Sequence, residues 1–287
     1  MCPLCRLHRS QVIGRNPDFP QLLVVQCKCG MRYSDPAPSE AYLQERYRSA
    51  YRQERGEHAD ESYLEFMRRR AVAQLDFVRR VRPASPGSVL DVGCSSGMLL
   101  QENAAADELV GFEPDEEMCK TARRILPGHA SIRNSLFQPG EFSENRFDLI
   151  TISHVLEHVV DPVGTVSELV RLLKPGGVLF IEVPHESDAT VRHLVNSRPA
   201  GFMHLLFFSA DSLQAVVERA GGAVLSAACF GPSRSGATRQ TPVDLAKKVV
   251  KRALPFLTKR MHAHHRKHAR FDVENQDGIW LRACVGK

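Results

Sequence analysis

From residue 88 onward, short apolar runs alternate with stretches of helical spacing, and no other property of this 287-residue chain restricts its fold as strongly. The runs 89–92, 109–112, 149–152 and 178–183 are too short for core helices and show no apolar/polar alternation, so each reads as a strand buried on both faces. Helical stretches such as 167–173 lie between them. Strands separated by helices predict an α/β architecture, a mostly parallel sheet with helices on both faces. A helix at 211–220, a strand at 223–230 and a strand at 278–285 continue the pattern, with a long basic insertion between the last two strands.

Before residue 83 the patterning is different. Residues 1–36 hold four cysteines and show no sustained periodicity, which predicts a turn-rich, metal-stapled unit. From 39 to 82 the spacing is helical, with Leu64, Met67, Ala71, Leu75 and Val78 on one stripe, and Pro83 to Gly87 ends it. The expected organisation is a zinc-binding module at 1–36, a helical linker or cap at 37–86, and a main domain at 87–287 carrying a basic helical insertion at about 233–275.

Composition narrows the class of protein. With 43% apolar residues the chain can bury a full-sized core, and it contains no apolar run of about 18 residues that would span a membrane. The opening M-C-P-L-C-R-L-H-R-S lacks the apolar stretch of a secretory signal, so a soluble, cytoplasmic protein is expected. In that reducing setting, cysteines at paired spacings hold metal more often than disulfides. The formal charge of +5 is uneven: residues 233–275 carry 11 Lys and Arg against Asp244, Asp272 and Glu274, leaving the rest of the chain slightly acidic.

Cys2-Pro3-Leu4-Cys5 and Cys27-Lys28-Cys29-Gly30 stand 21 residues apart, a spacing that lets two cysteine-bearing turns fold onto one zinc ion. Four protein ligands leave no open coordination position, so the expected role of that zinc is structural; four unrelated buried cysteines are the alternative. Further along, V-L-D-V-G-C-S-S-G places Asp91 at the end of the first strand of the main domain and Gly93 and Gly97 in the turn that enters a helix. Ligands of open α/β sheets bind outside such strand ends. Glu113, 22 residues after Asp91 at the end of the next strand, has the spacing at which an acidic side chain reaches a ribose diol. By itself the turn is also compatible with an ordinary strand-to-helix connection, or with the dinucleotide turn of a dehydrogenase.

These motifs, together with F-D-L-I-T-I-S-H-V-L-E-H-V and L-L-K-P-G-G-V-L-F-I-E-V-P in the same order, resemble the class I S-adenosylmethionine-dependent methyltransferases over residues 87–287. The resemblance implies a Rossmann-like, seven-stranded, mostly parallel sheet and an enzyme that uses S-adenosylmethionine. It implies that Asp91, Gly93, Cys94 and Gly97 line the methionine and ribose side, that Glu113 takes the ribose hydroxyls, and that Ser135 and Leu136 flank the adenine. Ser96 stands where many members carry glycine. Lys174-Pro175-Gly176-Gly177 before a strand, and a late strand pair around an insertion, favour a methyltransferase over a dehydrogenase. The cysteine-bearing start followed by M-R-Y-S-D-P-A-P-S is similar to the zinc-bearing N-terminus of bacterial methyltransferases acting on deoxysugars and related metabolites.

The sulfonium methyl is already electrophilic, so the protein's task is to align the acceptor and, for a hydroxyl, to remove its proton. His154, Glu157 and His158 follow the strand at 149–152, and His204 lies in F-M-H-L-L-F-F-S. The order H-x-x-E-H with a distant His resembles the metal constellation of ubiquinone-pathway O-methyltransferases and small-RNA 2'-O-methyltransferases, with His154 in place of a glutamate. That exchange shifts the metal preference from magnesium toward zinc and other imidazole-binding ions. Two readings stay open: His204 as general base with His154, Glu157 and His158 shaping the acceptor side, or a divalent cation at the acceptor site. His185 is a reserve candidate, and Tyr47 and Tyr51 either line the acceptor pocket or pack.

In the insertion, Ala246, Val249, Val250, Ala253, Leu254 and Leu257 form a helical stripe beside Lys247, Lys248, Lys251 and Arg252, interrupted by Pro255. A solvated helix packed on the core, peripheral contact with an anionic membrane, and a cover for an acidic acceptor are all compatible with it. Its aromatics, Phe256 and Phe271, are few for a nucleic-acid surface, so a small-molecule acceptor is favoured over RNA. The expected reaction is methyl transfer to a hydroxyl of a sugar or natural-product intermediate. RNA methylation and a catalytically silent cofactor-binding scaffold are the rivals. Oligomeric state has no sequence signal.

Overall fold

A computed structural model describes residues 1–8, 10–49, 60–195, 203–233, 271–276 and 278–287. The apolar runs form the expected strands. β1 (Ser10–Arg15), β2 (Leu23–Cys27) and β3 (Arg32–Asp35) precede the helices α1 (Glu40–Ser49) and α2 (Glu61–Arg79). Then follow β4 (Ser88–Val92), α3 (Met98–Gln101), β5 (Glu108–Phe112), α4 (Glu116–Ile125), β6 (Ser131–Arg133) and β7 (Phe147–Ser153). A one-turn 3-10 helix at Leu156–His158, α5 (Pro162–Leu172), β8 (Leu173–Pro184), α6 (Asp188–Leu194), β9 (Leu206–Phe207), α7 (Ala210–Arg219), β10 (Ala223–Ser233) and β11 (Gly278–Gly286) complete the described elements.

Seven strands form one sheet in the order β10-β11-β8-β7-β4-β5-β6. The five from β8 to β6 are parallel, and β11 and β10 add antiparallel at one edge. The chain leaves β4 toward β5 on one side and returns to β7 on the other, so the strand order reverses at β4 and opens a crevice at its carboxyl end. Leu90, Val92, Ile150, Ile152, Leu179 and Ile181 pack toward α5 and α7, while Val89, Leu149, Val178 and Phe180 pack toward α2, α3 and α4. Both faces are buried, which is why these runs show no polar alternation.

Local chemistry sets the helix starts. Asp60 accepts from the Tyr63 amide at the start of α2, Asp115 from the Met118 amide at α4, and Asp161 from the Gly164 amide at α5, where Pro162 occupies the first turn. The helix expected at 167–173 therefore begins five residues earlier, and Leu173 already belongs to β8. Within the stretch read as helical over 39–82, the described residues form α1 and α2.

The start of the chain departs from expectation. Instead of turns alone, residues 1–36 contain an antiparallel meander, and β9 from the far part of the sequence pairs with β3 to make a sheet in the order β1-β2-β3-β9. Val25 and Tyr33 of this sheet, with Phe19, Leu22 and Met31 from its connecting loops, share one core with Leu205, Leu206 and Phe208. The strands are short and β1 is mostly exposed, so no apolar period betrays them.

A buried charge cluster ties α2, β8 and β11 together. Glu182 and Arg282 face each other across β8 and β11, both fully buried, with Arg282 Nε donating to Glu182 Oε2 at 2.5 Å. Arg70 of α2 donates from Nε and Nη2 to Glu182 Oε1, and Gln74 Nε2 donates to the same oxygen at 3.0 Å. The Arg282 guanidinium also lies 4.3 Å from the centre of the Phe230 ring. Burial pushes the Glu182 carboxyl up, but Arg70 and Arg282 outweigh it and hold it well below the usual carboxylate range. Removing the carboxylate strands two guanidinium groups, so Glu182→Ala is expected to lower unfolding free energy by about 3–5 kcal/mol in urea denaturation, and the double replacement Glu182→Met/Arg282→Met by less.

Candidate active site

At the crevice, the turn after β4 is closed on the end of β5. The amides of Gly93 and Cys94 both donate to the Phe112 carbonyl, at 2.8 and 2.9 Å, and Gly97 donates to Cys94. Gly93 and Gly97 have φ of +79° and +78°, the left-handed region that favours glycine. Space demands glycine as well: a Cβ at 93 would stand 2.3 Å from Val155 Cγ2, and one at 97 would stand 2.9 Å from Leu126 Cδ1.

Glu113 projects from the end of β5 over this turn. Its Oε2 accepts from the Ser95 amide at 2.9 Å and its Oε1 from the Asp115 amide at 2.9 Å. Asp91, buried at the end of β4, accepts from Thr151 Oγ1 at 2.7 Å; burial pushes its carboxyl up to about 7 against that hydrogen bond, with Glu113 adding to the rise. The Ser96 hydroxyl is buried in the turn with no hydrogen-bond partner among the described residues. From α2, the Tyr63 hydroxyl reaches Ser95 Oγ at 3.1 Å, so the helix before the domain roofs the turn. Ser135 is exposed and Leu136 half-buried just after β6, on the far side of β5 from β4.

On the other side of β4, beyond the end of β7, the structure brings Glu157, His158 and His204 together, one ligand atom of each lying within 4.8 Å of the others. Glu157 and His158 come from the 3-10 turn, and His204 comes from the segment leading into β9, which the Leu205 amide ties to the Glu157 carbonyl at 2.9 Å. Nε2 of His158 and Nε2 of His204 lie 3.8 and 3.9 Å from Glu157 Oε1. Their other ring nitrogens are engaged: His158 Nδ1 lies 3.1 Å from the Met203 carbonyl, and His204 Nδ1 lies 3.3 Å from Glu186 Oε1. Those acceptors place a ring proton on Nδ1 of each histidine, so Nε2 is the nitrogen turned toward Glu157.

Glu157 is 1% exposed and neither of its oxygens has a well-aligned hydrogen-bond donor. His154, at φ +54°, stands beside it with Nδ1 3.2 Å from Glu157 Oε1 and Nε2 3.4 Å from Glu182 Oε1. It bridges the two carboxylates and lies outside the three-residue cluster. Burial pushes the Glu157 carboxyl up, but the approach of His154 and of the His158 and His204 rings outweighs it and holds the group at about 2. Burial pulls His158 down to about 4. For His204 burial acts in the same direction, but Glu186, with Glu157 and Asp18 nearby, outweighs it and raises the imidazole above its ordinary value.

In the first sheet, Cys2, Cys5, Cys27 and Cys29 converge with all four sulfurs within 4.8 Å of one another, and none is in a disulfide. Cys2–Cys29 and Cys5–Cys27 approach to 3.6 and 3.5 Å. A tetrahedral ion with bonds of about 2.3 Å sets sulfurs about 3.8 Å apart, so the donor set fits zinc. Arg6 at φ +59° and Gly30 at φ +92° turn the two knuckles.

His185 lies outside the cluster of Glu157, His158 and His204. Its Nδ1 lies 3.1 Å from the Gly278 carbonyl and 3.6 Å from Cys229 Sγ, which ties the end of β8 to β10 and β11. Tyr51 and residues 246–257, where a helix was expected, lie outside the described residues, and so does the side chain of Tyr47. Sequence reasoning missed Glu186, Glu182 and Arg70. Glu182 lies at the end of the strand run 178–183 and Glu186 three residues beyond it, in E-V-P-H-E, where acidic residues at a strand's carboxyl end are a signal that could have found them.

A family model described as a methyltransferase domain matches residues 63–227, more than half of the chain. Among curated relatives, a trans-aconitate 2-methyltransferase from an Azoarcus species is 32% identical over 143 residues, 49% of this chain and 56% of that protein. A ubiquinone biosynthesis O-methyltransferase from Thiobacillus denitrificans is 33% identical over 112 residues, 37% of this chain and 48% of that protein. The chain thus spans about half the length of the curated relatives it matches. In fold it is similar to a SAM-dependent methyltransferase from Thermotoga maritima, with TM-score 0.53 and 18% identity over 86% of this chain and 98% of that one. It is also similar to a Haloferax volcanii methyltransferase solved with the Trm112 methyltransferase activator, with TM-score 0.56 and 17% identity over 85% and 96%. Since the matched residues contain the glycine turn, the acidic end of β5 and the strand-order reversal between them, the chain belongs to the class I S-adenosylmethionine-dependent methyltransferases.

Proposed function

We propose that this chain transfers the methyl group of S-adenosylmethionine to an oxygen of a small molecule, a hydroxyl of a sugar or natural-product intermediate, beside a divalent cation held by Glu157, His158 and His204. The observation that carries this reading is the convergence of Glu157, His158 and His204, with both Nε2 atoms turned toward one buried carboxylate oxygen and a ligand atom of each residue within 4.8 Å of the others. The buried Glu157 carboxylate calls for positive charge beside it, which a cation or a protonated His204 would supply. Two imidazoles and one carboxylate suit zinc, manganese or iron better than magnesium. A carboxylate on the far nitrogen of a ligating imidazole, as Glu186 is on His204, fixes the tautomer and raises the basicity of the ligand.

When bound, the cation supplies Lewis acidity that makes an acceptor hydroxyl easier to deprotonate. Glu113, at the end of β5, takes the ribose hydroxyls; Asp91, Gly93, Cys94 and Gly97 line the methionine and ribose side, and Ser135 and Leu136 flank the adenine. His154 holds Glu157 toward the cluster. The Glu186–His204 pair also favours a second reading without a cation, in which His204 Nε2 takes the acceptor proton and Glu186 stabilises the resulting imidazolium. Cys2, Cys5, Cys27 and Cys29 hold a structural zinc ion. The ubiquinone and trans-aconitate relatives, whose names give small-molecule acceptors, support this over an RNA acceptor.

With labelled cofactor, label is expected in the small-molecule fraction of a cell extract and not in added RNA, and a chelator that spares the thiolate zinc is expected to abolish transfer. Unimpaired transfer after chelation would leave His204 as the base. Cation and proton compete for His204, so cation affinity measured by calorimetry is expected to fall by up to about tenfold per pH unit below the raised His204 titration, which lies above about 6.5. Glu113→Ala removes a charged hydrogen-bond acceptor and is expected to weaken S-adenosylmethionine binding by about 10- to 100-fold in the same instrument. Metal analysis of purified protein is expected to give one zinc per chain, and Cys2→Ser/Cys29→Ser to lose it.

A further inference from the structure

The segment that carries His204 into the acceptor centre is held in large part by the cysteine-bearing sheet. Tyr33 and Arg32 of β3 pair with Leu206 and Phe207 of β9, and the Ser34 amide donates to the Leu205 carbonyl at 2.7 Å. Two side chains from the loop after β1 reach further in. Asp18 Oδ2 accepts from the Met203 amide at 2.9 Å, and Asn16 Nδ2 donates to the His204 carbonyl at 2.8 Å.

Asn16 is 2% exposed, and its amide is fully used. Nδ2 also donates to Ser34 Oγ at 2.8 Å, while Oδ1 accepts from the amides of Asp18 and Phe19 at 2.9 and 3.1 Å. Between these two anchors, Met203 has φ +56°, a left-handed conformation that an ordinary residue adopts only when its surroundings impose it. Its amide is taken by Asp18, and its carbonyl receives His158 Nδ1. The backbone of one strained residue thus links Asp18 directly to the imidazole of His158, and the next carbonyl links Asn16 to His204.

We propose that Asn16 and Asp18 are positioning residues of the acceptor centre: by holding Met203 left-handed and His204 in place, they fix the separation and orientation of the two Nε2 atoms that face Glu157. The cysteine-bearing sheet is then a working part of the acceptor site. The inference rests on reading Glu157, His158 and His204 as that centre. A merely structural loop would need no such connection, because Phe19 and Leu22 already bury the loop in the shared core.

The test uses the full chain with its thiolate zinc, labelled with nitrogen-15 histidine, and takes cobalt(II) as the probe cation. Asp18→Ala and Asn16→Ala are expected to weaken cobalt binding at the histidine centre, read from its visible absorption, by about 10- to 100-fold. In the cation-free protein at pH 8, the same variants are expected to move the His158 or His204 ring-nitrogen shifts toward averaged tautomers. Asp18→Asn keeps an acceptor for the Met203 amide and is expected to restore both readouts to within about threefold of the parent, which separates the hydrogen bond from the charge. Val12→Ala, which trims an exposed side chain of β1 in the same sheet, is expected to change neither readout, and S-adenosylmethionine affinity is expected to stay constant throughout. Should Asp18→Ala fail to fold, Asp18→Glu displaces the acceptor by one methylene and decides in its place. Ring-nitrogen shifts and cobalt affinity like those of the parent, in folded Asp18 and Asn16 variants, would overturn the proposal. If the parent itself takes up no cobalt at this centre, the cation reading fails, and the ring-nitrogen comparison alone decides the role of Asn16 and Asp18.

Discussion

Glu182 is the residue on which the rest of the arrangement depends. One buried carboxylate receives Arg70 and Gln74 from α2 and Arg282 from β11, and stands 3.4 Å from His154, which borders the cluster of Glu157, His158 and His204. A lone buried carboxylate would be strongly unfavourable, and so would either guanidinium; together they hold three elements distant in sequence at one height above the strand ends. The polar residues of the site, Asp91, Thr151, Ser153 and Glu182, follow from that placement. They lie on the sheet face covered by α2, at the carboxyl ends of adjacent strands.

The parallel sheet was legible because its strands are buried on both faces and so appear as short, mostly apolar runs without polar alternation, with polar residues only near their carboxyl ends. The glycine turn was legible because Gly93 and Gly97 need left-handed backbone and lack room for a Cβ. His154, Glu157 and His158 were legible as neighbours in sequence, and His204 as a histidine in an apolar segment. What the sequence does not carry is the distance between them. His204 meets Glu157 only because the Leu205 amide bonds the Glu157 carbonyl and β9 pairs with β3, and neither contact leaves a periodic trace. The meander in residues 1–36 was hidden for a related reason: its strands are four to six residues long, and their inner side chains complete a core supplied mostly from elsewhere.

That shared core changes how the cysteine cluster is understood. Four sulfurs at ligand spacing close two knuckles, and the strands leaving them run directly under the segment that contains His204. Small sheets of this size hold too little apolar surface to be stable alone, and here the deficit is met by packing on the main domain.

Helix α2 touches both halves of the crevice. Tyr63 reaches the hydroxyl of Ser95 above the glycine turn, and Arg70, two turns along the same helical face, reaches Ser153 and Glu182 at the carboxyl ends of β7 and β8. A helix is stiff over that length, so one end cannot shift without carrying the other. A work term shared in this way is symmetric: whatever the occupant of one half does, through this rod, to the affinity of its counterpart, the counterpart returns by the same factor.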